Sequence, residues 1–200
     1  MLEKDATLDE RMTPEERGLF ERFKQQIGRE FLIEECLSQY SERVEYMSYL
    51  SGYDENVHWP GIKRWAIVNE DFSGLWFDEE YAKRSRWGGI IAPPLYLLAI
   101  DDGMMPSSWL ALEVYDRTSG VINTKKYPNF VGGLQANSEW EFFEPVRPGD
   151  KIKTKGKCTD IYWKQGKQYR LLFTFGETTY TNQRGQLVAH CRAGAVYRFK

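Results

Sequence analysis

The sequence predicts an α+β fold, helices first and an antiparallel sheet second. Three observations predict it. Apolar residues at Leu19, Phe20, Phe23 and Ile27 recur at the spacing of an amphipathic helix. Lys151, Lys153, Lys155 and Lys157 alternate with Ile152, Thr154, Gly156 and Cys158, the period of two of a strand with one wet face. Long β-rich runs in the last third of the chain are separated by short turn signals. Such a pattern packs helices against one face of a single sheet.

The elements follow in order. Residues 1 to 13 are polar and are expected to fray. Thr13-Pro14-Glu15-Glu16 starts a helix: a capping hydroxyl, proline where the N–H has no partner, then acids at the positive end of the dipole. Gly28 ends it. Phe31 to Leu50 mixes apolar and polar residues without a period that separates helix from strand. Tyr53 to Asn56 reads as a loop. A helix beginning near Pro60 carries Ile62, Trp65, Ala66 and Asn69 on one face. Asp71 to Gly74 is a loop, and Asp78 to Arg84 forms one or two helical turns. Gly88-Gly89 allows positive φ or close backbone approach. Pro93 and Pro94 open a helix that Leu95 to Ile100 continues. From about Val131 the texture changes. Residues 151 to 158, 169 to 180 and 187 to 199 make three long strands, with turns at Gly166 and at Asn182 to Gly185.

Composition narrows the function classes. With 27 basic and 29 acidic residues the formal net charge is -2, which gives no basic surface for nucleic acid. Lys83, Arg84 and Arg86, and the lysines from 151 to 157, thicken locally. They read as solvated faces, with a CoA or carrier-protein phosphate as the functional alternative. Aromatic residues make up 15% of the chain, enough to favour broad packed surfaces in a core or at an interface. Cys36, Cys158 and Cys191 are odd in number and form no CxxC, so neither a disulfide framework nor a zinc site is expected, and no metal. Reduced thiols, a charged N-terminus without an apolar core segment, and no apolar run of about 18 residues point to a cytoplasmic protein with no membrane span.

The stretch Trp65 to Ala99 carries the most information. Asp71 lies after a helix in the small-residue loop DFSG, where Asp most often caps or turns. Trp76 and Tyr81 read as packing residues on their own. Together, however, A-I-V-N-E-D-F-S-G-L-W-F-D-E-E-Y-A resembles, without a gap, the pattern A-x-x-x-G-D-x-N-P-L-H-x-D-x-x-Y-A of the MaoC-like acyl dehydratases, the (R)-specific enoyl-CoA hydratase family. The matched residues are Ala66, Asp71, Leu75, Asp78, Tyr81 and Ala82. Gly88 to Pro94, in the form AKRSRWGGIIAPP, is most similar to the N-terminal, FAS1-like dehydratase domains of that family. EWEFFEPVRPGDKI and ETTYTNQRGQLVA resemble the strands that follow there.

The resemblance implies a hotdog fold, an antiparallel sheet wrapped around a central helix that begins near Pro93. It makes residues 51–200 the hotdog domain and residues 1–50 a polar, helical extension. It implies that hotdog domains pair, with acyl-thioester sites at the pair interface. It also implies a chemistry without a cofactor: the substrate itself carries CoA or an acyl-carrier thioester. Family members use an Asp and a His, in the loop before a short helix, to activate water and protonate the α-carbon. A main-chain N–H at the start of the central helix steadies the thioester oxygen as it gains enolate character.

Asp71 keeps the Asp position. Glu70 replaces the glycine before it, Ser73 the Asn and Gly74 the Pro. Trp76 stands where the His belongs and can serve neither as acid nor as base. The oxyanion glycine falls on Pro93, which has no N–H. Loss of a positioned acid or base costs roughly 10²–10⁴ in rate, and loss of an oxyanion donor about 10²–10³.

The resemblance therefore implies a degenerate half of a heteromeric enoyl-CoA hydratase or 3-hydroxyacyl-thioester dehydratase. A second hotdog subunit with intact Asp and His would complete it. Trp76, Ile91, Ala92, Pro93 and Tyr96 would shape the acyl site, and (R) stereochemistry follows from the family alone. Two other readings stay open: a self-sufficient homodimeric hydratase in which Asp71 works with Glu70, His58 or Tyr81, and a non-catalytic acyl-CoA-binding protein.

Overall fold

The computed structural model describes residues 11–32, 56–100 and 123–200. The segment from Phe31 to Leu50 lies outside these beyond Leu32, as do Tyr53 to Glu55, Cys36 and the polar run up to residue 10. Met12, at the end of that run, is buried.

Helix α1 spans Pro14–Lys24 and opens with a reciprocal cap. The Glu16 main-chain N–H donates to Thr13 Oγ1, and the Thr13 N–H donates to the Glu16 carboxylate, both at 3.2 Å. Leu19 and Phe23 bury the helix's apolar stripe in a cluster with Tyr127, Phe130, Ile161, Leu172, Tyr197 and Phe199. Glu16 has a second role that the capping pattern does not reveal. It is fully buried and forms a two-pronged ion pair with Arg170, at 2.8 and 3.1 Å, while Asn129 donates to it at 3.1 Å. Arg170 also donates to the main-chain carbonyl of Lys200. One buried charge pair thus ties the N-terminal helix to the far end of the sheet.

The sheet has five strands in the order β1-β3-β4-β5-β2, all pairs antiparallel. They are β1 (Glu30–Leu32), β2 (Phe130–Phe142), β3 (Ile152–Gln165), β4 (Arg170–Asn182) and β5 (Leu187–Phe199). The three expected long strands are present. Strand β2 is a fourth, and it had no apolar alternation to announce it because most of its residues are exposed. Strand β4 shows the period of two plainly: Leu172, Thr174, Thr178 and Tyr180 are buried, while Phe173, Phe175 and Glu177 face the other side.

On the buried side lie α2 (Trp59–Val68), α3 (Gly74–Phe77), α4 (Glu79–Arg84), a 3₁₀ turn at Pro94–Tyr96, and α5 (Leu97–Ile100). Ile62, Ala66, Trp76, Leu97 and Ile100 meet Ile152, Tyr180, Val188 and Cys191 of the sheet in one core cluster. This is the α+β hotdog arrangement. Its central helix begins at Pro94, with Pro93 extended just before it.

Candidate functional site

The site is built where α2 ends. A helix must satisfy its last carbonyls, and here the chain reverses so that the Asp71 N–H reaches Ala66 O at 2.9 Å and the Glu70 N–H reaches Ile67 O at 3.1 Å. That is a Schellman ending, which needs a left-handed residue at Glu70. Glu70 has φ 55, the one positive φ outside glycine among the described residues. A glycine meets this demand without strain, and here a glutamate meets it with a side chain that disfavours it.

The reversal sets Asp71. Its Oδ1 accepts from the Ser73 N–H at 3.2 Å, closing a short side-chain turn. Ser73 then caps α3 by accepting from the Leu75 N–H at 3.3 Å. Gly74 makes room for Tyr81, because a Cβ there would lie 2.8 Å from the Tyr81 ring. Ser73-Gly74 is therefore a working replacement for Asn-Pro as a helix start. Asp78 caps α4 through the N–H groups of Glu80 and Tyr81.

The opposite wall is the segment that enters the central helix. Gly88 takes φ +65, and Ala92 N–H donates to Val146 O at 2.7 Å. Ile91 N–H reaches back to Leu75 O at 3.4 Å. Arg147 donates to Trp87 O at 2.7 Å and pins the loop from outside. Pro93 is buried and Pro94 exposed, and neither has an N–H, so the first main-chain donor of this helix is Leu95.

Between the two walls runs a groove of about 440 Å³ lined by Trp65, Ala66, Asn69, Asp71, Pro93, Pro94 and Leu95. The structure brings Asp71 and Pro93 together there. It places Trp76, Ile91, Ala92 and Tyr96 in the core cluster shared by α2, α3 and the central helix. The Tyr96 ring meets Trp65 edge-on at 6.3 Å and lies so close to α2 that only glycine fits at position 61. Trp76 is 7% exposed, and its carbonyl accepts from Trp59 Nε1 at 2.7 Å.

Of the other proposed partners of Asp71, the histidine is remote while Glu70 and Tyr81 belong to the neighbouring backbone. His58 is the N-cap of α2 and Asp71 follows its C-terminus, so the ten-residue helix separates them by about 15 Å. Tyr81 covers Gly74, and Glu70 is exposed. His190 sits in β5. Among the described residues, Asp71 therefore has no histidine beside it. Trp65, Ala66, Asn69, Pro94 and Leu95 line the groove and were not among the expected site residues. The shared helical face of Trp65, Ala66 and Asn69 was the signal for the first three.

Three lysines of the basic runs meet carboxylates. Lys83 bonds Glu80 at 3.0 Å, Lys155 bonds Glu30 at 2.9 Å, and Lys157 bonds Glu177 at 3.1 Å. Among the described residues no cluster of His, Cys, Asp and Glu is arranged to hold a metal ion, and no helix is long and apolar enough to cross a membrane.

Comparison with known proteins places this geometry. The model of the FAS1-like dehydratase domain region matches residues 47–191. No curated protein matches the chain. The ChsH1-ChsH2 complex from Mycobacterium tuberculosis is similar in structure, with 17% identity and a TM-score of 0.55 over 80% of this chain and 91% of that one. The HadBC (3R-hydroxyacyl-ACP dehydratase) complex from the same organism gives 17% identity and a TM-score of 0.51 over 70% and 88%. A MaoC-like dehydratase from Rhodospirillum rubrum is 25% identical over 72% and 86%, with a TM-score of 0.48. With the family model spanning most of the chain, and with the Asp loop, the double-proline helix start and the hotdog sheet all in place, this chain belongs to the FAS1-like branch of the MaoC-like dehydratases.

Proposed function

We propose that this chain is the degenerate half of a heteromeric enoyl-thioester hydratase or 3-hydroxyacyl-thioester dehydratase, and that a second hotdog subunit supplies the acid/base pair and the oxyanion N–H. One observation carries this reading. Asp71 keeps its place at the groove, but the two groups that would complete it are replaced by buried, non-reactive ones. Trp76 stands at the His position and Pro93 at the position of the N–H donor. The Asp71 carboxylate alone can polarise a water, but it has neither a proton donor for the α-carbon nor a main-chain donor at Pro93 for the enolate oxygen.

The paired state has structural support. Among the described residues, strand β2 is a 13-residue edge strand with most residues exposed. A long, unprotected edge invites another strand. The similar structures ChsH1-ChsH2 and HadBC are each named as complexes. In the proposed pair the ligand is an acyl-CoA or acyl-carrier thioester, and this subunit contributes shape rather than proton transfer.

The test is hydration of crotonyl-CoA and longer enoyl-CoAs, followed by loss of the enoyl-thioester absorbance. The chain alone is expected to be inert. Co-expression with a hotdog subunit that retains Asp and His restores turnover, and Asp71→Ala in that complex changes kcat by less than about twofold. Turnover by the pure chain that disappears in Asp71→Ala would overturn the proposal in favour of a self-sufficient homodimer. Binding of acyl-CoA without turnover in any pairing would leave a binding protein.

A further inference from the structure

Trp76 presents a buried donor with no acceptor. Its side chain is 7% exposed, and Nε1 is shielded from solvent without a hydrogen-bond partner. An indole N–H can only donate. Leaving it unpaired in a core is unfavourable, and buried tryptophans normally place this group against an acceptor. The rest of Trp76 is well held: its carbonyl accepts from Trp59, and its ring packs in the cluster that contains Ile91, Ala92 and Tyr96. A phenylalanine would fill a core position of this kind without the orphan. Thr154 Oγ1, Trp163 Nε1 and Arg198 Nε are also buried without a partner. Of these, Thr154 lies on β3 opposite Tyr180, which belongs to the same cluster as Trp76, whereas Trp163 packs against the other cluster. Ala92 leads directly into Pro93, which lines the groove.

We infer that the Trp76 Nε1–H is a ligand-binding group that donates a hydrogen bond to an oxygen of the acyl ligand. This rests on the acyl-site reading above and deepens it: it makes the tryptophan at the former His position a recognition element rather than filler. The oxygen can be the thioester carbonyl or an oxygen carried further along the acyl chain. The shared chemistry is an acceptor oxygen delivered into an otherwise apolar wall.

The experiment measures dissociation constants by calorimetry for wild type and Trp76→Phe, using the full chain alone and in complex with its co-expressed hotdog partner. Three probes are used: octanoyl-CoA, its thioether analogue S-octyl-CoA, and 7-oxo-octanoyl-CoA. The phenylalanine variant is expected to bind the acceptor-bearing probe about tenfold more weakly and S-octyl-CoA as wild type does. A loss already present with octanoyl-CoA assigns the thioester carbonyl. A loss confined to 7-oxo-octanoyl-CoA assigns an oxygen on the chain. Equal affinities for all three probes in both proteins overturn the inference but leave the acyl-site reading standing. A loss that includes S-octyl-CoA also overturns it, since it reports packing alone. Failure of the wild type to bind any probe removes the acyl-site reading and the inference with it. If Trp76→Phe does not fold, the wild-type indole resonance decides. A downfield shift of the Trp76 N–H with the oxygen-bearing probes, absent with S-octyl-CoA, supports the donor role; no shift with any bound probe overturns it.

Discussion

At Glu70 a single backbone torsion records how this chain diverged. The Schellman ending of α2 requires a left-handed residue, and glutamate occupies it at φ 55. A left-handed non-glycine residue costs about 1–2 kcal/mol, of which a glycine would return part through its freer unfolded chain. Glu70→Gly is therefore expected to raise stability by about 0.5–1 kcal/mol, read from urea unfolding midpoints at unchanged slope. Glu70 is exposed and is not a lining residue of the groove, so the acyl-CoA binding proposed for that groove is expected to stay the same, as calorimetry would show. The torsion was legible in the sequence only through the aligned glycine, because a lone Asn-Glu-Asp run does not announce a left-handed turn. The burial of Trp76 was legible as ordinary packing. Its unpaired N–H was not, since hydrogen-bond satisfaction is a property of the surroundings that residue identity does not specify.

At the scale of elements, α1 is held by charge as well as by apolar contact. Glu16 and Arg170 are both buried, so removing one partner strands the other in a low-dielectric core. Glu16→Gln is expected to cost about 3–5 kcal/mol, and replacing both partners, as Glu16→Leu with Arg170→Met, recovers most of that loss; chemical denaturation of the three proteins checks both. The cap at Thr13 was plain from Thr-Pro-Glu-Glu. The ion pair was not, because it joins residues 154 positions apart. Strand β2 escaped notice for the opposite reason. A strand is recognised by alternation, and alternation requires one buried face, whereas β2 is largely exposed. Among the strands proper, Glu177 meets Lys157 at 3.1 Å and Arg192 at 3.4 Å. The bonded Lys157 ammonium, with Arg192 adding to it, holds the Glu177 carboxyl below its ordinary value of 4.5 against a burial effect in the other direction. The folded state thus binds this proton less readily than the unfolded one. The stabilisation is present above pH 4.5 and is lost as the pH falls through the lower folded value. Glu177→Gln is expected to be less stable than wild type by up to about 1 kcal/mol at neutral pH. That gap should close on acidification below 4.5, in thermal melts taken across the range.

At the scale of the whole molecule, the sheet of the described residues ends in β2, a 13-residue strand. A long edge strand offers a continuous template for a second sheet. Leu134 and Phe142 on β2 are 57% and 44% exposed, and Phe143 just beyond is 52% exposed. Apolar groups on an unprotected edge are a liability for a lone chain and an asset for a paired one. If β2 is the pairing edge, the double change Leu134→Lys with Phe142→Lys acts on assembly and not on folding. Both side chains are exposed, so the melting of the isolated chain should move by no more than about 0.5 kcal/mol per site. The complex with a co-expressed hotdog subunit should weaken at least about tenfold, because two charges must be desolvated against the partner. Sedimentation of the complex at graded concentrations measures the second quantity, and thermal unfolding of the single chain the first. A variant that melts normally and still assembles at wild-type concentrations places the pairing edge elsewhere. One that melts normally, dissociates, and loses hydratase turnover in step with dissociation ties the chemistry to the joined sheet, as a half-site with Trp76 and Pro93 at its reactive positions requires.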